Sequence, residues 1–185
     1  MPKTSRSLRL SAGALVLFAL AMFADAPGRP AAAAANCDPP DLTFDAEEGA
    51  FVALINGYRA QYGLSPLTVS VNLNRAASWM AADLAERDYF SHTDSLGRSP
   101  FDRLADCTGS SYGGENLAAG SPLTTAQSAF DLWRSSPSHD RNMLLAPYTQ
   151  LGIARHYDPT SSYGWYWALE FGVDDDGTRL EPAPY

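Results

Sequence analysis

Lysine is almost missing from this sequence: Lys3 is the only one in 185 residues. The arginines are scattered rather than clustered, and the formal charge is −8. A basic face for nucleic acid cannot be built from that supply. Cysteine is limited to Cys37 and Cys107, and histidine to His92, His139 and His156. No internal repeat is visible, and only one apolar run approaches membrane-spanning length. What remains is ordinary globular composition, 45% hydrophobic and 18% charged, which excludes wholesale disorder. The length suits one domain with a real core.

Residues 1–35 read as a secretory leader with an Ala/Pro-rich linker. Lys3, Arg6 and Arg9 form a positive start, Leu10 to Ala24 is apolar, and small-residue sites follow at Ala24-Asp25-Ala26 and Ala31–Ala35. The apolar run of 15 residues is short for a span, which needs roughly 20. An uncleaved membrane anchor is the alternative. Cleavage after Ala35 would leave 9 basic and 20 acidic residues, a net −11, on an exported, soluble domain that repels phosphate backbones and anionic lipid.

Both cysteines lie beyond the leader. In an oxidising compartment the simplest reading is one disulfide, Cys37–Cys107, tying an N-terminal arm (36–44) to the body. A helix then opens at Asp45, with Glu48 in the reciprocal capping position. Phe51, Leu54, Ile55, Tyr58 and Tyr62 mark its apolar face. A second helix is predicted from Ser70 to Arg87 on Leu73, Ala76, Ala77, Met80 and Leu84. A short one starts at Ser99-Pro100, and another runs from Thr124 to Ser135. Residues 89–98 and 109–114 read as loops.

The last third alternates. Leu151, Ile153, Arg155 and Tyr157 form one strand. A second has Trp165, Trp167, Leu169 and Phe171 on one face and Tyr166, Ala168 and Glu170 on the other. Helices first and a hairpin last make an α+β domain with helices packed on an antiparallel sheet. The domain is expected to span 45–173, with an acidic, mobile tail at 174–185.

His92 and His139 sit in Ser/Thr/Pro/Asp-rich text that reads as loop, and Gly113-Gly114-Glu115-Asn116 lies midway. Two imidazoles and a carboxylate can hold a divalent cation such as zinc and leave a position for water or ligand, or they can be unrelated polar loop residues. His156 reads as surface. Asp94 can orient His92 through its ring N–H or simply make a turn, and Asn116 can bond backbone near the cleft. Gly109-Ser-Ser-Tyr-Gly113 fits a nucleophile elbow in letters only, since it lacks the preceding strand. Asp174-Asp175-Asp176-Gly177 lacks the first and last ligands of a calcium loop.

The blocks FSHTDSLGRSPFDRL, GGENLAAG, LWRSSPSHDRNML, LGIARHY and YWALEFG, in this order, resemble the signature blocks of the CAP superfamily, in its bacterial SCP-like extracellular branch. The superfamily groups cysteine-rich secretory, antigen-five and pathogenesis-related proteins. The resemblance runs from about Phe51 to Gly172. It implies a three-layer α-β-α sandwich with a central antiparallel sheet and a cleft lined by two histidines and two glutamates. Carried over by position, His92, Glu115 and His139 are three of the four, with His92 and His139 the metal ligands. The fourth position holds Ser136, so one carboxylate is lost. Glu170 offers a replacement, although the family blocks require no acid there.

The function implied is a secreted ligand-binding or interaction module, with lipid or sterol, cell-wall or host ligands as partners and no nucleic acid. One alternative is a metal-dependent hydrolase with Glu115 as general base to a metal-bound water. Another is a structural envelope protein with a vestigial cleft.

Overall fold

The structure is a computed structural model that describes Cys37, Pro39 and residues 42–180. The leader, four residues of the arm (36, 38, 40 and 41) and the last five residues, 181–185, lie outside the described residues. Five helices and four strands follow Asp45 among them.

Helix α1, Ala46–Gln61, begins where Asp45 Oδ1 accepts the N–H groups of Glu47 and Glu48, and Glu48 Oε2 accepts that of Asp45. Its buried stripe is Phe51, Val52, Ile55, Tyr58 and Arg59. Tyr62, expected on that stripe, is the C-cap and is exposed. Helix α2, Val71–Glu86, is capped by Ser70 and buries Leu73, Ala76, Ala77, Met80 and Leu84. Helix α3, Pro100–Thr108, starts on a Ser99/Asp102 capping box and ends at Gly109 with φ +80°. Helix α4, Ala126–Ser135, is capped by Thr125. Helix α5, Pro137–Met143, corrects the loop reading at His139: proline at its first turn nucleates it despite the Ser-rich text.

The strands are β1 (Thr68–Val69), β2 (Gly113–Ala119), β3 (Gln150–Tyr157) and β4 (Trp165–Gly172), in the order β1-β3-β4-β2. The sheet is antiparallel except at the β1 edge, where two residues pair parallel to β3. Alternation along β4 separates two cores. Trp167, Leu169 and Phe171 pack with α1 and α4, whereas Tyr166 and Ala168 pack with α2. The result is the expected α-β-α sandwich. Gly152 is required by its contact: a Cβ there would run into the Leu73 carbonyl, so only glycine lets α2 rest on β3.

The Cys37–Cys107 disulfide is present and fixes the arm to the end of α3. Residues 174–180 are not a loose tail. The Leu180 N–H donates to Val69, and Thr178 Oγ1 accepts from the Val71 N–H, so this segment is docked along β1.

Candidate functional site

The site is built around β2, an edge strand. Consecutive residues of a strand face opposite sides, so Glu115 points to the α2–α3 layer and Asn116 to α4 and α5. Gly114 permits this crowding, because a Cβ there would collide with Tyr148 Oη.

On the first side, Glu115 is buried beneath an exposed His92. Nδ1 of His92 lies 2.6 Å from Glu115 Oε1. The other carboxylate oxygen takes an N–H from Arg103 on α3. An ionised carboxylate only accepts, so the proton sits on Nδ1. The hydrogen bond to Glu115, reinforced by its charge, holds the His92 midpoint above the usual imidazole value, against desolvation and the Arg103 charge.

Asp94 does not touch His92 in this way, which corrects the expectation that it orients the ring. Its Oδ1 accepts the N–H groups of Leu96 and Arg98, and its Oδ2 meets Arg98 Nε at 2.8 Å and Arg103 Nη1 at 3.3 Å. A short side chain closing its own turn cannot also reach the ring. Asp94 instead steadies the loop and the guanidinium that holds Glu115.

On the second side, Asn116 Nδ2 donates to the His139 carbonyl at 3.1 Å. Asn142, on α5, donates to the Glu115 carbonyl and to Asn116 Oδ1, and accepts from Tyr148. These bonds pin α5 to the free edge of β2. Arg59 anchors the far end of α5, with Nη1 donating to the Met143 and Leu145 carbonyls. His139 is half-buried, and its midpoint is lowered by burial first and then by the charge of His92.

Ser136 and Ser138 face one another at 3.3 Å and bring no carboxylate. Among the described residues, no group of three or more His, Cys, Asp or Glu side chains is arranged to hold a metal ion. His92 spends Nδ1 on Glu115 and keeps Nε2 for a ligand, whereas Glu115 is spent on His92 and the cationic Arg103. Among the described residues the metal reading of His92 and His139 therefore has no third side-chain ligand, one short of the three protein ligands of a zinc centre. His156 is half-buried on β3.

Sequence reasoning missed Arg103, Arg98, Asn142 and the burial of Glu170. A signal for Arg103 was available: it is one of 13 basic residues and shares the block FSHTDSLGRSPFDRL with His92 and Asp94.

A separate groove of about 630 Å³ lies between α1 and α4, lined by Ala50, Leu54, Gly57, Tyr58, Phe130 and Arg134 among others. It belongs to the opposite layer from Glu115.

The pattern of the cysteine-rich secretory protein family (CAP) matches residues 52–171. The uncharacterized protein YkwD of Bacillus subtilis is 33% identical over 113 residues, which is 60% of this chain and 43% of that protein. The chain thus spans less than half the length of that relative. An outer surface protein of Borrelia burgdorferi shares the fold at TM-score 0.61 and 20% identity, over 72% of this chain and 96% of that one. An extracellular SCP-domain protein of Bacillus anthracis does so at TM-score 0.53 and 24% identity, over 66% of this chain and 39% of that one. With well over half of its length matched by the family pattern, this chain belongs to the cysteine-rich secretory protein (CAP) family.

Proposed function

We propose that this protein is an exported binding module and that the imidazole pair His92/His139 at the edge of β2 is its recognition surface. The single observation that carries this reading is the way Glu115 is held. Both of its oxygens are committed, to Arg103 and to His92, so it orients an exposed imidazole and is not free to take a proton from water. That disfavours the hydrolase alternative, as does the lack of a third metal ligand among the described residues. Export is supported by the leader pattern, by a disulfide of the kind that persists in oxidising compartments, and by relatives named as extracellular and outer-surface proteins. Among the described residues, no helix is long and apolar enough to cross a membrane.

The ligand classes that fit differ by place. A polar ligand, such as a cell-wall peptide, suits the imidazoles with Ser136 and Ser138 beside them. An acyl chain or sterol would find apolar surface in the α1–α4 groove instead. The test is retention of peptide, lipid and peptidoglycan-fragment pools by the purified protein, compared with His92→Ala and His139→Ala. Retention that these substitutions abolish, with no chemical change in the retained molecule, is the expected result. Turnover by the parent protein that vanishes in His92→Ala would replace this reading with the hydrolase, and unchanged retention would leave the cleft without a role.

A further inference from the structure

Glu115 has a second acid behind it. Glu170 of β4 is its register partner across the β2–β4 ladder, on the same face of the sheet. Glu170 is 0% exposed, and neither carboxylate oxygen has a hydrogen-bond partner. Arg103 Nε lies 3.7 Å from Oε1, beyond hydrogen-bond reach, and is itself without a partner. The rest of that guanidinium serves Glu115, Asp94 and the His92 carbonyl. From β3 the residue in register is Gly152, which has no side chain to offer.

An ionised carboxylate held dry without hydrogen bonds costs several kcal/mol, and a group in that position takes up a proton instead. Two facing carboxylates form a hydrogen bond only when one of them carries a proton between them. We propose that Glu170 is carried as the neutral acid at physiological pH, its O–H turned toward Glu115, and that it is the positioning residue holding Glu115 as an anion beneath His92. Burial and the facing charge of Glu115 both push Glu170 well above the ordinary carboxylate range, against the pull of Arg103. Asp94 and Arg98 act on the cluster through Arg103, and His92 acts through Glu115. The protonation state stands on burial and pairing alone. Its bearing on function rests on the reading of His92 and Glu115 as the binding surface.

The direct probe is infrared difference spectroscopy between the parent protein and Glu170→Gln at about pH 7.4. Glu48, the other buried acid with a raised midpoint (about 7), is common to both proteins, so its band cancels in the difference. A protonated-acid carbonyl band that the substitution removes is the expected result; its absence from the parent protein overturns the proposal. The amide of Gln can donate to Glu115 as the acid does, so the His92 midpoint followed by NMR should move by less than about 0.3 pH units. A fall of about one unit or more would mean that a negative charge had been removed, which also overturns it. Should Glu170→Gln fail to fold, carbon-13 labelling of glutamate in the parent protein serves: besides Glu48, which titrates near about 7, one carboxyl carbon must keep its protonated shift at about pH 7.4. The band does not depend on any ligand. A protein that shows it but retains no ligand through His92 would sink the binding surface and leave Glu170 as described.

Discussion

Arg103 is a fully buried cation among three acids: it pairs with Asp94 and Glu115 and lies 3.7 Å from Glu170. Its replacement by methionine keeps bulk but strands at least one carboxylate in the interior, which costs about 3–5 kcal/mol by analogy with broken buried pairs. Urea unfolding should read this as a lower midpoint at unchanged slope. The His92–Glu115 pair has its own pH signature. The folded midpoint of His92 is raised, so the contribution of the pair to stability is complete below about pH 6.5 and is lost as pH rises through that midpoint. Glu115→Gln should lower the His92 midpoint in an NMR titration. His139 supplies a check on the shared surface: its midpoint is held down by burial and in part by the charge of His92, so His92→Ala should raise it. A His139 titration that ignores this substitution would separate the two imidazoles and end the shared-surface reading.

Among the elements, α1 and α5 contrast. Helix α1 is announced by Asp45, Glu48 and a clean apolar period, and its capping box forms as written. It still carries Gly57 in its exposed middle, where an added Cβ meets nothing within 4 Å. Gly57→Ala should therefore stabilise by about 0.5–1 kcal/mol, seen as a raised thermal midpoint. Glu48 closes the box from a buried position, and burial outweighs its two backbone hydrogen bonds to push it up to about 7. Folding therefore loses stability as pH rises from about 4.5 through about 7, a slope that Glu48→Gln should flatten. Helix α5 has no such announcement. The Ser136 side chain does not cap its backbone, and the helix persists because Arg59 and Asn142 tie it to α1 and β2. Strand β2 was equally obscure, since two glycines and Glu-Asn have poor strand propensity. Its exposed edge is satisfied by side chains, Asn142 on the Glu115 carbonyl and the Trp133 indole on that of Leu117.

At the scale of the whole molecule, the disulfide and the docked end act as two clasps. The disulfide closes 70 residues, and in the loop-entropy picture its removal by the double substitution Cys37→Ser/Cys107→Ser costs about 4 kcal/mol. Most of that loss belongs to the unfolded chain, so unfolding with and without reductant should reproduce it while the folded spectrum stays the same. The second clasp, residues 176–180 along Ser70, Val71 and Val69, lies where an acidic sequence promised mobility. Local composition favours a loose end, but Asp176, Thr178 and Gln150 find fixed partners once β1 and β3 are assembled.

Near neighbours and regular period were enough to set the helix caps, the two faces of β4, and the apolar stripes that decide which side of the sheet each helix covers. Ordered motifs also placed His92, Glu115 and His139 in one family pattern. How those groups are employed was left to the tertiary structure, because hydrogen bonding between residues 12 to 23 apart has no local signature. Folding gave Glu115 to Arg103 and His92, gave Asp94 to its own turn, and sealed Glu170 away from water. Charge in a protein interior is set by what surrounds it on every side, and a linear sequence shows only two of those sides.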